Sequence, residues 1–231
     1  MDEEDIQKTL RGAVHRQDTP AILDLLTTAG LGDHRLQMAG LGLLIALSED
    51  RAAAEPLSHR LLDALAHRQW DGDEELAADL RAALGTGPTP LLKTVPVPLS
   101  ELAYAMDTND YGGRVNLENG EVYPADLFNY DAPEDLAEED LDDADRWLGI
   151  DPAGSRAGWN DMADFIGTVT DPGRADRLSI AIEGRGAFRR FKDVLHRWPD
   201  EDARWYAFSE DRKLGRAREW LAAEGYRATR Y

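Results

Sequence analysis

The chain has 231 residues, a length that suits one large domain or two modest ones, each able to bury a core. Its 45 acidic residues outnumber its 26 basic residues and give a formal net charge of −19, so bulk affinity for nucleic acid or anionic lipid is not expected. The absence of cysteine excludes disulfides and thiolate chemistry, and an acidic N-terminus without an apolar run of about 20 residues predicts a cytoplasmic protein with no membrane partner.

Residues 1–84 are predicted to form an N-terminal domain of five short helices, because apolar side chains recur at helical spacing in five successive stretches. In the second stretch Thr19 is the predicted cap, Pro20 takes the first helical position and Gly30 stops the helix. Asp73 is the predicted cap of the fifth helix. A bundle or a HEAT-like stack is expected, although no motif repeats at a fixed period, and such a layer is suited to be a docking surface or a structural cap.

The segment 85–98 carries four prolines and two glycines and therefore cannot continue a helix. We predict that it links the helical domain to an α+β domain over residues 99–231. This second domain begins with a helix capped by Ser100. Alternating apolar residues around Asn119-Gly120 then predict a β-hairpin with both turn residues at positive φ. The whole chain is thus expected to be mainly α with a small antiparallel β-hairpin.

Two glycines flank Arg185 in the stretch 181–198, "AIEGRGAFRRFKDVLHRW", which suggests a phosphate-binding loop, a turn between DNA-reading helices or a tight corner of a helical fold. Gly184 and Gly186 match the start of the dinucleotide-binding pattern G-x-G-x-x-G, but Arg189 stands at its third glycine. We favour a corner between two helices, in which Gly184 closes the first helix and Gly186 frees the start of the second.

The apolar side chains around this corner are predicted to be buried. Asp176 is expected to cap the first helix, and an earlier helix is expected over residues 159–169. The predicted core residues are Phe188, Phe191, Val194, Leu195 and Trp198 on the second helix of the corner, and Trp159, Met162, Phe165, Ile166 and Val169 on the earlier helix.

The other faces of the second helix carry cations that a phosphate or nucleic-acid site would use. The candidate binding residues are Arg185, Arg189, Arg190 and Lys192, together with Trp205 and Tyr206, whose rings are suited to stack on nucleobases. The interpretation that we favour is structural: the cations lie in solvent or pair with the acidic segment 134–145, and the aromatic rings belong to the core. A helix capped by Ser209 and ended by Gly225 is predicted to follow.

The charge is divided unevenly along the chain. Residues 183–231 carry 12 basic and 9 acidic side chains, a net charge of +3, whereas the rest of the chain carries 14 basic and 36 acidic side chains, a net charge of −22. We therefore expect the basic tail to pack against the acidic body through ion pairs.

Several stretches after residue 95 resemble the bacterial uncharacterised protein family 0158. The most specific are "GRGAFRRFKDVL" (184–195) and "WYAFSEDRKLGRAREWLAAEGY" (205–226). "LSELAYAM", "YGGRVNLENGEVY" and "MADFIGTV" resemble the family's opening helix, hairpin and middle helix. The resemblance covers residues 96–228 and implies the family's architecture but no known activity. The N-terminal helices are not typical of that family.

The sequence offers no strong catalytic or metal-binding pattern. Asp107, Asn109, Gly112 and Glu118 fall at calcium-loop positions, but Tyr111 stands where a further oxygen ligand is needed. No G-x-S-x-G, H-E-x-x-H or P-loop pattern occurs. We therefore predict no catalytic residue, no metal and no cofactor.

Three functions remain, in this order. The first is a non-enzymatic protein-binding or regulatory module whose partner is another protein, docked in one version on the N-terminal helices. The alternative is a phosphate- or nucleic-acid-binding protein that uses the glycine corner and the basic helix of residues 184–197. The third is a metal-assisted hydrolase that uses the acidic segment. The oligomeric state is not predicted.

Overall fold

The computed structural model describes residues 3–108, 112–124 and 143–230, and it is mainly α, as predicted. The helices are α1 (Glu3–His15), α2 (Thr19–Thr28), α3 (Leu36–Glu49), α4 (Arg51–Arg68), α5 (Asp73–Leu84), α6 (Leu99–Thr108), α7 (Gly154–Gly167), α8 (Pro172–Ala181), α9 (Ala187–Leu195) and α10 (Pro199–Ala223). The strands are β1 (Lys93–Pro98), β2 (Gly113–Asn116), β3 (Val122–Pro124), β4 (Trp147–Ile150) and β5 (Tyr226–Arg230). Within these ranges, no helix is long and apolar enough to cross a membrane.

Strands β2 and β3 form the predicted antiparallel hairpin, and β4 adds a third strand that was not predicted, in the order β3-β2-β4. The predicted turn type is wrong, because φ is positive at Gly120 (77°) but not at Asn119. The carbonyl of Asn116 accepts a hydrogen bond from the Gly120 amide at 2.8 Å, which closes a longer loop than a two-residue turn. A Cβ on Gly120 would lie 2.1 Å from the carbonyl oxygen of Pro96, so this loop packs tightly against β1.

The second half of the predicted linker is strand β1, which pairs in parallel with β5. Its Val95 and Val97 are buried. The prolines of this segment suggested a break in structure, but proline is tolerated in an edge strand, and both strands of a two-stranded sheet are edges. The division of the chain into two domains stays a prediction.

Buried apolar side chains form two clusters, and α10 contributes to both. In the first cluster, helices α1 through α6 and the strands pack against the C-terminal part of α10, which contributes Leu214 and Leu221. The second joins α7, α8 and α9 to the N-terminal part of α10, through Trp205 and Phe208. With 25 residues, α10 is about 37 Å long, enough to reach across both clusters.

Helix α10 runs without a break through Ser209, so the prediction that Ser209 caps a helix is wrong. The helix starts ten residues earlier, where Pro199 opens the first turn and three acidic residues follow it. Gly225, with φ of 85°, follows the end of the helix, which confirms the predicted stop.

Three further predicted caps are wrong, because another residue makes the capping bond or the helix starts earlier. Asp18, rather than Thr19, accepts the capping hydrogen bond at the start of α2. Asp171, rather than Asp176, does so for α8. In both helices the aspartate lies just outside a first turn that contains proline. Helix α6 begins one residue before Ser100, which is therefore inside the helix.

The prediction that Asp73 caps α5 is also wrong. Gly72 occupies the cap position, and Asp73 is the first residue of the helix and is buried. Its carboxylate accepts hydrogen bonds from the Trp70 amide at 2.9 Å and from Arg68 at 2.5 Å. Arg68 also pairs with Asp211 of α10, whose carboxylate accepts a hydrogen bond from the Gln37 amide at 2.7 Å. This buried ion network (Gln37, Arg68, Asp73 and Asp211) joins the N-terminal helices to α10.

The turn between α4 and α5 meets α10 backbone to backbone. A Cβ on Gly72, whose φ is 75°, would lie 2.2 Å from the carbonyl oxygen of Gly215. A Cβ on Gly215 would lie 2.1 Å from the carbonyl oxygen of Asp71. Neither position therefore has room for a side chain.

Ion pairs confirm the expectation that the basic tail packs against the acidic body. Lys213 of α10 lies 2.6 Å from Asp107 at the end of α6. Arg212 and Arg216 of α10 both donate to the buried Asp161 of α7, at distances of 2.8 to 3.0 Å. Cations of α10 are thus used to hold acidic residues of the earlier helices.

Candidate binding site at the glycine corner

Helices α8 and α9 meet at the glycine corner, residues 182–186, which confirms the predicted helix–turn–helix. Both of its glycines are left-handed, with φ of 72° at Gly184 and 76° at Gly186. A dinucleotide-binding turn requires a strand before its glycines, and here a helix precedes them. The corner therefore does not form that arrangement.

The guanidinium of Arg190, an exposed residue, bonds to backbone carbonyls of the corner. Its Nε donates to the carbonyl of Ala181 at 3.1 Å, and its two terminal nitrogens donate to the carbonyls of Glu183 and Arg185. These are carbonyls that the end of α8 and the turn leave without helical partners. The predicted binding residue Arg190 thus uses all three of its guanidinium nitrogens in hydrogen bonds to the protein's own backbone.

The other predicted cations of the corner, Arg185, Arg189 and Lys192, are also exposed. Arg189 lies 3.8 Å from Asp193, one helical turn further on, and both side chains face solvent, so the pair is weak. The predicted pairing of these cations with the acidic segment stays a prediction, because residues 134–142 lie outside the described residues.

The core prediction for α9 is confirmed for Phe191 and Leu195, which are buried, and wrong for Phe188, which is 43% exposed. The ring of Phe188 lies over Gly158 of α7, where an added Cβ would be 2.9 Å from it. Trp159, also predicted to be buried, is 42% exposed and donates from Nε1 to the carbonyl of Ile182 at 3.1 Å.

These two aromatic side chains border a surface cavity of about 470 Å³. We call it the corner cavity; its lining residues are Ser155, Arg156, Trp159, Asn160, Gly184, Gly186, Ala187 and Phe188. The sequence pattern pointed to the two glycines but missed the residues that α7 contributes. Helical spacing indicates which side chains share a face, but not whether another element covers that face.

The predicted aromatic pair Trp205 and Tyr206 lies apart from the corner cavity. Trp205 is only 8% exposed, and its ring packs against Phe165 and Phe191, with ring centroids 5.3 and 4.8 Å apart. Tyr206 is 55% exposed but does not line the cavity. The structure therefore brings Gly184 and Gly186 together with Trp159 and Phe188, rather than with the predicted pair.

The fold and the site together define a mainly α protein with a small, aromatic-bordered cavity at a helix–turn–helix corner. Residues 89–229 match the model of the Uncharacterised protein family (UPF0158), and the chain belongs to this family. This confirms the resemblance drawn from the sequence.

A relative from Pseudomonas aeruginosa, UPF0158 protein PA5073, is 28% identical over 131 residues, which cover 56% of this chain and 84% of the relative. No solved structure matches the chain. The glycine corner and α10 lie inside the matched residues, whereas α1 to α5 precede them.

Proposed function

We propose that the protein is a non-enzymatic, cytoplasmic binding protein whose corner cavity takes an acidic segment of another protein. The observation that carries this proposal is the exposure of Trp159 and Phe188 on the border of one cavity. Aromatic side chains that remain half-exposed beside a cavity are typical anchors of protein interfaces. If a partner covered both rings, the burial of their apolar surface would contribute about 4 to 5 kcal/mol to the free energy of binding.

The distribution of exposed apolar side chains favours the family region over the N-terminal helices. The large exposed ones among the described residues are Leu91, Tyr104, Trp159, Ile180, Phe188 and Tyr206. In the described part of α1 to α5 there is none. Docking on the N-terminal helices remains a weaker version of the same proposal.

The charge around the corner supports an acidic partner. Residues 184–197 carry five basic side chains and one acidic side chain, in a chain whose net charge is −19. Arg156 lines the cavity itself, and Arg185 lies between its two glycines. Such a local reversal of charge attracts an acidic segment and orients it as it approaches.

Phosphate or nucleic-acid binding is the alternative, because the same cations would contact phosphates. It is less well supported, since Arg190 is occupied by backbone carbonyls and Trp205 is enclosed in the core. The net charge of the whole chain also opposes a polyanion.

The proposal is tested by selection from a displayed library of acidic peptides, each with one aromatic or aliphatic residue. We expect the selected peptides to bind the full chain and to lose at least about tenfold in affinity when Phe188→Ser or Arg156→Glu is introduced. Fluorescence anisotropy measures the affinity, and circular dichroism checks that each variant is folded.

Tyr206→Ser is the matched control, because it removes an exposed aromatic ring outside the cavity and should leave the affinity unchanged. Equal binding by the Phe188→Ser variant and the parent would refute the proposed site. Tight, salt-sensitive binding of single-stranded nucleic acid, abolished by Arg185→Glu, would instead establish the alternative.

A further inference from the structure

A second and larger cavity, the N-terminal cleft, lies between α1, α3, α5, the start of α6, α10 and β5. Its volume is about 1590 Å³. Its basic lining residues are Lys8, Arg11, Arg16, Arg218 and Arg227, and its acidic lining residues are Asp79, Glu101 and Glu210. The cleft thus has an excess of cations in a strongly acidic protein.

Arg218 and Arg227 on the wall of this cleft are incompletely bonded. Arg218 is 7% exposed; its Nε donates to Gln37 at 2.9 Å, whereas its Nη2 is buried with no hydrogen-bond acceptor among the described residues. Arg227 also has a buried nitrogen, Nε, for which the described part of the chain provides no acceptor. A buried donor that has lost water and gained no acceptor is costly, most of all when it is charged.

The carboxylate nearest to both guanidiniums does not compensate them fully. Asp79 lies 3.5 Å from Arg218 and 3.5 Å from Arg227, at the outer limit of a hydrogen bond. By contrast, Arg216 binds Asp161 with two bonds of 2.8 and 2.9 Å. Burial lowers the pKa of the Arg218 guanidinium, which agrees with a charge that has no close carboxylate within residues 3–108, 112–124 and 143–230.

We propose that Arg218 and Arg227 form an oxyanion-binding site on the wall of the N-terminal cleft, for a ligand with a carboxylate or phosphate group. Two guanidiniums that share one distant carboxylate have N–H groups left for a ligand with several acceptor oxygens. Lys8 and Arg16 on α1 add positive charge at the same cleft. The site is separate from the corner cavity and does not depend on the proposed function.

The test compares sodium phosphate and sodium acetate with sodium chloride at matched ionic strength, using the full chain. We expect phosphate or acetate to raise the melting temperature saturably, by about 2 to 4 °C. The ¹H–¹⁵N resonance of Arg227 Nε should shift along the same saturation curve. A response to phosphate alone identifies a phosphate site, and a response to acetate alone identifies a carboxylate site.

Arg227→Gln should abolish both responses and, since Arg227 is partly exposed, should leave the chain folded. Arg189→Gln is the matched control, because it removes the same charge from an exposed position on α9. The proposal is wrong if neither anion differs from chloride, if the response does not saturate, or if the two variants respond alike. Phe188→Ser, which tests the corner cavity, should leave the anion response unchanged.

Discussion

Asp211 lies at the centre of the buried ion network, and its burial raises the pKa of its carboxyl group to about 6. Pairing with Arg68 and the hydrogen bond from the Gln37 amide act in the opposite direction and are outweighed by burial. Between pH 4 and 6 the folded chain therefore holds a proton at Asp211 that the unfolded chain has released. This contribution to stability is complete below the unfolded pKa and is lost as the pH rises through the folded pKa.

Asp211→Asn should remove this pH dependence. We expect the free energy of unfolding of the parent, measured relative to that of the variant, to fall by about 2 to 3 kcal/mol between pH 4 and pH 7. Urea unfolding at several pH values measures the difference. A difference that is constant across this range would contradict the raised pKa.

Gly215 gives a second prediction for a single residue. Gly215→Ala should lower the free energy of unfolding by about 3 kcal/mol, because the new methyl group would meet the backbone carbonyl of Asp71, which cannot move aside cheaply. Gly167→Ala on α7 is the control, since no described residue lies within 4 Å of its added Cβ. Equal effects of the two substitutions on urea unfolding would show that the contact between α10 and the α4–α5 turn is not tight.

Sequence patterns predicted the glycines at helix ends well, but they predicted the side-chain caps and the burial of apolar side chains less well. Gly184 and Gly225 were predicted correctly, because a helix end needs a left-handed residue nearby. Phe188 shares an apolar face with Phe191, yet only Phe191 is covered by α10 and its neighbours. The corner cavity depends on this difference and therefore could not be read from spacing.

At the level of elements, the helices were predicted because apolar side chains recur with a period of about 3.6 residues in each helical stretch. Strands β1, β4 and β5 are short, and each is formed by pairing with a strand that lies far away in the sequence. No local pattern therefore indicated them. The length of helix α10 was underestimated for a related reason. Its Ser209 has the chemistry of a cap, but it lies within a helix that is packed on two clusters.

At the level of the whole molecule, the two apolar clusters should unfold together, because α10 belongs to both. Leu61→Ala in the first cluster and Phe165→Ala in the second should each lower the midpoint of the same single thermal transition, by roughly 5 to 15 °C. Circular dichroism and calorimetry follow the transition. If one substitution shifts only one of two resolved transitions, the chain consists of two independently stable domains.

The unbroken course of α10 has a mechanical consequence. Trp205, beneath the corner, and Arg218, on the wall of the cleft, are about 20 Å apart along one rigid rod. Between these two positions, at Gly215, α10 contacts the α4–α5 turn backbone to backbone. A shift of α10 along its axis would therefore displace the corner side and the cleft side of the molecule together.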